Sequence, residues 1–289
     1  MKYALCTISF RHQLISFSDL VRYALRHRFD GIELWGVHAL NLYQYEREST
    51  REQLDKLQGG GLRVSMISDY FDISPEADFS NTLARCAQLI EAAGLFGVKR
   101  LRSFAGQRPS AELSDAERFQ AVERLRQLCD LCQAGGIHLL LETHPNTLTD
   151  TVDATLALLA ELDHRNARIN LDFLHVWESG TDPIDGFERL KPWVDHFHLK
   201  NVTSARDLHV FHPHNVYSAS GSRSGMVPLR AGALDYRAII REIEPTGLYA
   251  SLEWFGSKPL SVLQDELKWL RSSHREGSDP AFCKLLSSL

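Results

Sequence analysis

Residues 139–146 have the sequence LLLETHPN, a short apolar run that ends in a carboxylate and an imidazole. Such a run is typical of a buried parallel strand, and the proline at position 145 ends the pairing. Because side chains alternate along a strand, Glu142 and His144 share one face. An acid and a base at the carboxyl end of a buried strand are typical of an active site in a barrel. We therefore predict that this strand end belongs to a functional site.

Three later apolar segments also end in side chains that can bind a metal ion. Asp172, His198 and Glu253 each stand at the end of a strand-like segment, as Glu142 does. Together they supply hard ligands that suit a divalent cation with open positions for a substrate. Three carboxylates without a cation would repel one another and lose hydration. We predict a shared metal site made of Glu142, Asp172, His198 and Glu253.

The order of strand-like and helix-like segments indicates the fold. The two types alternate along the chain, and eight strand–helix units can be counted in its 289 residues. This pattern predicts an α/β fold with the architecture of a (β/α)8 TIM barrel. The first strand is not followed by a Gly-rich phosphate turn, which argues against a doubly wound sheet. We expect one barrel domain over residues 1–289.

Local signals set several boundaries within this pattern. Ser114 and Glu117 form a capping-box pattern before the longest helix, and helical spacing predicts helices over 152–162 and 236–243. Residues 201–232 are too long for an ordinary connection, so we expect a functional loop over the barrel mouth. Further predicted elements are a first strand over 3–8, a helix capped by Ser18, a helix over about 50–57 and a last helix over 261–270.

Composition limits the classes of protein to which the chain can belong. It is 44% hydrophobic and 24% charged, as in ordinary globular proteins, and its net charge of -5 argues against a nucleic-acid surface. Apolar runs are shorter than the roughly 18–20 residues of a spanning helix, and no signal peptide is recognisable. Five scattered cysteines indicate reduced thiols. We predict a cytoplasmic protein that binds neither nucleic acid nor membrane.

Other polar side chains near the strand ends could transfer protons. His175 follows Asp172 by three residues, in the turn beyond the strand, and Lys200 shares a strand face with His198. Each has a structural alternative, because His175 could bond a carbonyl and Lys200 could pair with a carboxylate. Near a divalent ion, the Lys200 amine could also stay neutral enough to act as a base. The catalytic candidates are His175, His144 and Lys200.

Arginine and aromatic side chains are candidates for substrate binding. Arg102 ends the fourth strand and Arg223 lies in the long loop, and either could clamp a substrate carboxylate through two parallel hydrogen bonds. Aromatic side chains after the strands could wall a flat ring, although they also serve as packing. The substrate-binding candidates are Arg102, Tyr70, Arg223, Tyr217, Trp254 and Phe255.

Longer stretches of the chain resemble a known family. These are residues 5–15 (LCTISFRHQLI), 31–36 (GIELWG), 66–70 (MISDY), 140–150, 169–179 and 250–256. They resemble the xylose-isomerase-like barrel superfamily and, more narrowly, the AsbF-type 3-dehydroshikimate dehydratases of catecholate siderophore (petrobactin) biosynthesis. The resemblance covers nearly the whole chain up to about Ser272. It implies the same four metal ligands that the strand ends indicate.

The resemblance implies a reaction and a cofactor. 3-Dehydroshikimate would lose water to give protocatechuate, and the reaction would need a divalent cation. Mn²⁺ is the preferred candidate, and Mg²⁺ and Co²⁺ are alternatives. A metal on the C3 ketone would act as a Lewis acid while His175 or His144 removes the neighbouring proton. Lys200 would assist the leaving oxygen or bond the enolate. We expect this small molecule as the partner and leave open whether the chain forms a homodimer.

Three other functions fit parts of the pattern. A ketose isomerase or epimerase would use the same metal without losing water, but the aromatic side chains and Arg102 favour a flat, carboxylated substrate. A DNA-repair endonuclease would need a basic groove, against which the acidic charge balance argues. A non-catalytic barrel would retain its small ligand unchanged in the presence of metal.

Overall fold

The computed structural model describes residues 1–277, and their side chains as far as Ser272. All strands except the short β8 and β9 form a closed parallel barrel, in which each strand pairs with the next along the chain and β10 pairs with β1. The predicted fold class is therefore confirmed. The strands are β1 (Lys2–Cys6), β2 (Gly31–Trp35), β3 (Arg63–Ser68), β4 (Arg100–Ser103), β5 (His138–Glu142), β6 (Ala167–Asp172), β7 (Val194–Leu199), β8 (Asn201–Val202), β9 (Met226–Val227) and β10 (Tyr249–Leu252).

Helices connect successive barrel strands and continue after the last one. No helix in the part of the chain that the structure describes is long and apolar enough to cross a membrane. The helices are α1 (Phe17–His27), α2 (Gly36–Tyr45), α3 (Arg47–Gly59), α4 (Phe79–Phe96), α5 (Asp115–Ala134), α6 (Val152–Leu162), α7 (Phe173–Glu178), α8 (Pro183–Leu190), α9 (Pro213–Val216), α10 (Tyr236–Ile243) and α11 (Pro259–Gly277).

The apolar face of each strand packs against the helices. Leu139 and Leu141 of β5 are fully buried in this layer. On β7 the ring of Phe197 lies 5.6 Å from that of Phe173 on α7 and 5.7 Å from that of Phe187 on α8, measured between centroids. Because side chains alternate along a strand, the opposite face points into the barrel. That interior face is where the polar side chains lie.

Several predicted boundaries are confirmed and others are wrong. α6 and α10 have the predicted bounds, and Ser114 and Glu117 form the capping box of α5. The first strand ends at Cys6 instead of residue 8, because the chain turns there into a 3-10 helix whose Thr7 hydroxyl accepts the Trp35 N–H. α1 is capped by Ser16, not by residue 18, and α11 begins at residue 259 and continues to 277.

Three helices were missed by the sequence analysis, namely α2, α7 and the short α9 within residues 201–232. α2 follows β2 without any loop. A further difference is the length of α3, which was predicted over residues 50–57 and extends over Arg47–Gly59. α7 begins directly after Asp172, whose Oδ1 accepts the N–H of Leu174 at 3.0 Å. His175 therefore lies on a short helix and not in a turn. The helix fixes the direction of its ring more firmly than a turn would.

Residues 201–232, which we call the lid, are more regular than expected. They contain the antiparallel pair β8 and β9, two 3-10 helices and α9. Arg11 Nε donates to the Val216 carbonyl at 2.6 Å, and Arg11 Nη2 donates to the Phe255 carbonyl at 3.1 Å. The Leu229 N–H donates to Glu266 of α11 at 2.8 Å. These contacts hold the lid against the carboxyl end of the barrel.

Candidate metal centre and active site

The strand register brings the four predicted metal ligands together. Asp172 on β6 is the direct pairing partner of His198 on β7, while Glu142 ends β5 and Glu253 follows β10. All four side chains are buried, and one ligand atom from each lies within 4.8 Å of the others. Closure of the barrel therefore places three carboxylates and one imidazole around a common point.

Two buried cations border this cluster. Arg102 Nε lies 2.7 Å from Glu142 Oε2, and Lys200 Nζ lies 2.6 Å from Asp172 Oδ2 and 2.9 Å from Glu253 Oε2. Burial opposes the charged form of Glu142, but the charges of Arg102 and His198 outweigh it and hold the pKa of that carboxyl well below its usual range. The Glu142 carboxylate is therefore held in the ionised form that a metal requires.

Lys200 is a charged partner of the carboxylates. Burial alone would lower its pKa, but the charges of Asp172 and Glu253 raise the pKa above its ordinary value. The salt-bridge alternative is therefore favoured over a neutral amine that acts as a base. In this state the ammonium is a hydrogen-bond donor at the edge of the cluster.

Two buried oxygens of the cluster are available to a cation. Glu142 Oε2 and Asp172 Oδ2 accept no well-aligned hydrogen bond among the described residues, although each lies close to a cationic side chain. Unsatisfied buried oxygens are costly unless something binds them. Carboxylate and imidazole donors in this number suit a divalent ion that keeps open coordination positions. The residues present therefore fit a divalent metal.

Glu33 is a further acidic side chain that sequence reasoning missed. It lies in the middle of β2 and is fully buried, and both of its oxygens lie 3.1 Å from His198 Nε2. The available signal was a single carboxylate inside the apolar run of residues 31–35, but Glu33 is not at a strand end. Glu33 raises the number of buried carboxylates around His198 to four, against the two cations Arg102 and Lys200. When His198 is neutral, as metal binding requires, two negative charges in this part of the structure are left to match a divalent cation.

These carboxylates also control the charge of His198. Burial opposes protonation of the ring, but the charges of Glu253, Glu33 and Glu142 outweigh it and raise the pKa of His198 well above its usual value. His198 Nδ1 lies 3.3 Å from Glu142 Oε1 and 3.4 Å from Glu253 Oε2. A metal at this point would compete with a proton on Nδ1.

Two further histidines lie beside the cluster. His144 Nδ1 donates to the Pro145 carbonyl at 2.8 Å, which leaves Nε2 as the nitrogen that can accept a proton. Burial, and after it the neighbouring His175, lowers the pKa of His144 well below its usual range, so the ring is neutral. The His175 ring lies 4.4 Å from that of His144, with its Nδ1 2.8 Å from Glu178 Oε2 and its Nε2 3.8 Å from Asp172 Oδ2.

One cavity joins these groups at the barrel mouth. Its volume is about 380 Å³ including the part that is open to solvent. Glu142, Glu253, Lys200 and both histidines contribute polar atoms to its wall. The lid supplies part of the cover. Other lining residues are Tyr70, Arg102, Phe104, Phe211, Val216, Tyr217 and Phe255.

Arg102 is held between aromatic rings at the cavity wall. Its guanidinium carbon lies 5.0 Å from the ring centre of Tyr70 and 5.1 Å from that of Phe104. The side chain is 2% exposed, and its Nε contact with Glu142 uses part of the guanidinium. Arg102 can therefore face a substrate carboxylate while it remains fixed to a metal ligand.

Two predicted substrate-binding residues lie outside this cavity wall. Arg223 donates from Nη1 to the Asn215 carbonyl at 2.9 Å and from Nη2 to the Ser218 carbonyl at 2.7 Å, so it ties the lid together. Trp254 donates from its indole to the Ser257 carbonyl at 2.8 Å and does not line the cavity. Backbone carbonyls occupy the polar atoms of both side chains, and their substrate-binding role stays a prediction.

The closed barrel and its buried carboxylate–histidine cluster define a class of protein. A sequence profile described as the xylose isomerase-like TIM barrel matches residues 21–273, and the chain belongs to this family. A solved member of the fold from Mycobacterium smegmatis, described as a xylose isomerase-like TIM barrel protein in complex with magnesium, has a TM-score of 0.67. It is 22% identical, with 94% of this chain and 96% of that chain covered.

Two closer matches narrow the comparison. The chain is 53% identical over 276 residues to a 3-dehydroshikimate dehydratase of Bacillus anthracis, across 96% of this chain and 99% of that protein. A crystal structure of the probable 3-DHS dehydratase AsbF, involved in petrobactin synthesis in Bacillus anthracis, matches with a TM-score of 0.93 and 54% identity. It covers 94% of this chain and 99% of that chain.

Removing one anionic ligand should weaken metal binding without unfolding the barrel. We expect Glu142→Gln and Glu253→Gln each to raise the dissociation constant of Mn²⁺ by more than about tenfold, since a carboxylate ligand becomes a neutral amide. Isothermal titration calorimetry measures the constant. Glu266→Gln, which changes a buried carboxylate of α11 outside the cluster, is the matched control. Wild-type affinity in both ligand variants would remove these residues from the metal site.

Metal binding should also release a proton. The pKa of His198 is raised above its ordinary value of 6.5, so the metal-free ring is protonated near neutral pH and must lose that proton to bind metal. We expect release of about one proton per ion and an affinity that increases with pH until His198 is deprotonated in the free protein. Calorimetry in two buffers with different ionisation enthalpies counts the protons. An affinity that decreases with rising pH would contradict this assignment.

Proposed function

We propose that this chain is a metal-dependent 3-dehydroshikimate dehydratase that forms protocatechuate and water. The observation that carries the proposal is one cavity at the metal-type cluster, whose wall includes two carboxylates of that cluster, a neutral histidine and a buried arginine between aromatic rings. The relative that is 53% identical has this name. Its substrate carries a ketone, hydroxyl groups and a carboxylate on one ring, which are groups that such a cavity can bind.

The ligand set holds the cation that the reaction needs. When a divalent cation is bound to Glu142, Asp172, His198 and Glu253, it supplies Lewis-acid polarisation of the substrate ketone. We infer Mn²⁺, with Mg²⁺ and Co²⁺ as alternatives, because three carboxylate ligands and one imidazole suit these ions. The absence of cysteine from the set argues against a site built for softer metals.

His144 is our preferred base for the first proton transfer. Its neutral ring has Nδ1 fixed on the Pro145 carbonyl, so Nε2 is free to take the proton from the carbon beside the ketone. His175, the other candidate, has carboxylates near both nitrogens, Glu178 at Nδ1 and Asp172 at Nε2. We therefore assign His175 to orienting the ring of His144, which lies 4.4 Å away.

Lys200 is placed to assist the leaving group. Its ammonium lines the cavity and is fixed by Asp172 and Glu253. A charged amine can donate a proton to the departing hydroxyl at the β carbon, so that this hydroxyl leaves as water. A further ring proton is then exchanged for a proton on the former ketone oxygen, and this tautomerisation gives the aromatic product. The overall change is the loss of one water molecule, without any redox step.

The aromatic wall fits a planar ring and its carboxylate. Tyr70, Tyr217 and Phe255 line the cavity, and Arg102 is the arginine that faces it. We propose that Arg102 binds the substrate carboxylate. Use of the product in siderophore assembly, a cytoplasmic location and a homodimer remain predictions.

Incubation with the substrate tests the function directly. Metal-loaded protein and 3-dehydroshikimate should give protocatechuate, detected by ultraviolet absorbance and by a mass decrease of one water. Treatment with a chelator should abolish formation of the product, and Mn²⁺, Mg²⁺ or Co²⁺ should restore it. A product of unchanged mass would favour an isomerase or epimerase, and an unaltered bound ligand would indicate a binding protein. Full activity in thoroughly metal-stripped protein would contradict the metal role.

Replacing Arg102 tests the carboxylate contact. We expect Arg102→Lys to raise KM roughly ten- to hundredfold, since a charge-assisted hydrogen bond contributes about 1.5–3 kcal/mol and one ammonium cannot reproduce the planar fork. Turnover should change less. Steady-state kinetics gives both values. Arg223→Lys is the matched control, and a KM raised in the control but unchanged in Arg102→Lys would reverse the assignment.

Alanine variants of the two histidines identify the base. We expect His144→Ala to lose about two to four orders of magnitude in turnover, the range for a missing general base, and His175→Ala to lose less. Both should keep metal and fold. Exchange of the substrate proton beside the ketone with deuterated solvent, followed by NMR, should fail only in His144→Ala. Wild-type exchange in both variants would exclude both histidines and make Lys200 the next candidate.

A further inference from the structure

One contact in the site crosses the barrel interior. Glu33 lies on β2 and His198 on β7, and these strands are not neighbours in the barrel. Both oxygens of Glu33 nevertheless lie 3.1 Å from His198 Nε2, and both side chains are fully buried. Only closure of the barrel brings these residues together. The contact is therefore a feature of the interior and not of the sheet register.

The two nitrogens of the His198 ring face different partners. Nε2 faces Glu33, while Nδ1 faces Glu142 at 3.3 Å and Glu253 at 3.4 Å. Carboxylates, which can only accept, face both nitrogens, but the two at Nδ1 belong to the predicted ligand set. When a metal takes the lone pair of Nδ1, the ring hydrogen is on Nε2 and is donated to Glu33. That lone pair is directed toward the other ligands. The tautomer set by Glu33 is thus the one that can bind a metal between them.

We propose that Glu33 is a positioning residue for the metal centre, which holds His198 Nδ1 toward the other ligands by accepting a hydrogen bond from Nε2. A carboxylate behind a metal-binding histidine fixes its ring orientation and makes the ring a stronger donor. Glu33 acts through the metal centre on which the proposed function depends. Metal affinity measured without substrate separates a failure of this role from a failure of the dehydratase activity.

Glu33 is itself fixed by a neighbouring strand. The Ser68 hydroxyl, at the end of β3, donates to Glu33 Oε1. Ser68 is 1% exposed, and β3 pairs with β2 along this segment. The result is a chain of hydrogen bonds in which Ser68 and His198 both donate to the same carboxylate. Such a chain leaves Glu33 little freedom to turn away from the ring.

A second metal ion at the same place is the main alternative. Glu33, His196 and His198 also form a group that could hold an ion. However, His196 Nδ1 lies 3.1 Å from Asn170 Oδ1, and His196 Nε2 lies 3.3 Å from Ser251 Oγ. Both of its nitrogens therefore have polar partners within the barrel. This favours the hydrogen-bonding role of Glu33 over a ligand role.

Glu33→Gln is the variant that tests the role. It keeps the side-chain volume but replaces the charged acceptor of the Nε2 hydrogen bond by a weaker, neutral one. We expect the Mn²⁺ dissociation constant to increase about 10- to 100-fold, as is usual when such a partner is removed. The matched control is Asp195→Asn, because Asp195 accepts from His138 Nδ1 at 3.0 Å near the start of β7, outside the metal cluster. Its dissociation constant should stay within about twofold of wild type.

Calorimetry with Mn²⁺ alone gives both affinity and stoichiometry. The proposal requires one ion per wild-type chain and weaker binding of that ion in Glu33→Gln. An affinity in Glu33→Gln within twofold of wild type would overturn it, and so would two ions in wild type with one lost in the variant. If Glu33→Gln does not fold, Ser68→Ala takes its place. Severalfold weaker Mn²⁺ binding in Ser68→Ala supports the proposal, and unchanged binding overturns it.

Discussion

The site depends on an excess of buried negative charge. Four carboxylates surround His198, and Arg102 and Lys200 balance only two of them within the described structure. Bringing such charges out of water is expensive, and the cost is offset only when opposite charges and hydrogen bonds surround them. A divalent cation supplies the missing charge. The remaining polar side chains of the cavity lie beside this carboxylate cluster.

The barrel makes this arrangement possible because the side chains that stabilise the fold and those that form the site lie on opposite faces of its strands. Apolar faces of the strands pack against helices, as in the cluster of Phe173, Phe187 and Phe197, and this layer stabilises the fold. The inward faces are then free to carry ionisable groups at the carboxyl end. His144 is an example. Burial disfavours the charged form of its ring and lowers its pKa, so this histidine is neutral and able to accept a proton.

The sequence was informative where the signal is local. The apolar run before Glu142 and the capping box at Ser114 each depend on a few adjacent residues, so the strand, the helix and the clustering of the strand-end side chains could be predicted. Glu33 could not, because its partner is 165 residues away and meets it only after closure. The hydrogen bonds from Arg223 to lid carbonyls could not be predicted either, because the demand of those carbonyls for donors has no sequence signature. α7 was missed because six residues are too few for helical periodicity.

Anomalous diffraction at the manganese edge, from crystals of the protein soaked with Mn²⁺, tests the metal centre most directly. The account predicts one peak per chain, within about 2.0–2.6 Å of oxygens from Glu142, Asp172 and Glu253 and of His198 Nδ1. His198 Nε2 should still face Glu33. A peak elsewhere in the barrel, or an ion bound through His198 Nε2, would contradict the account.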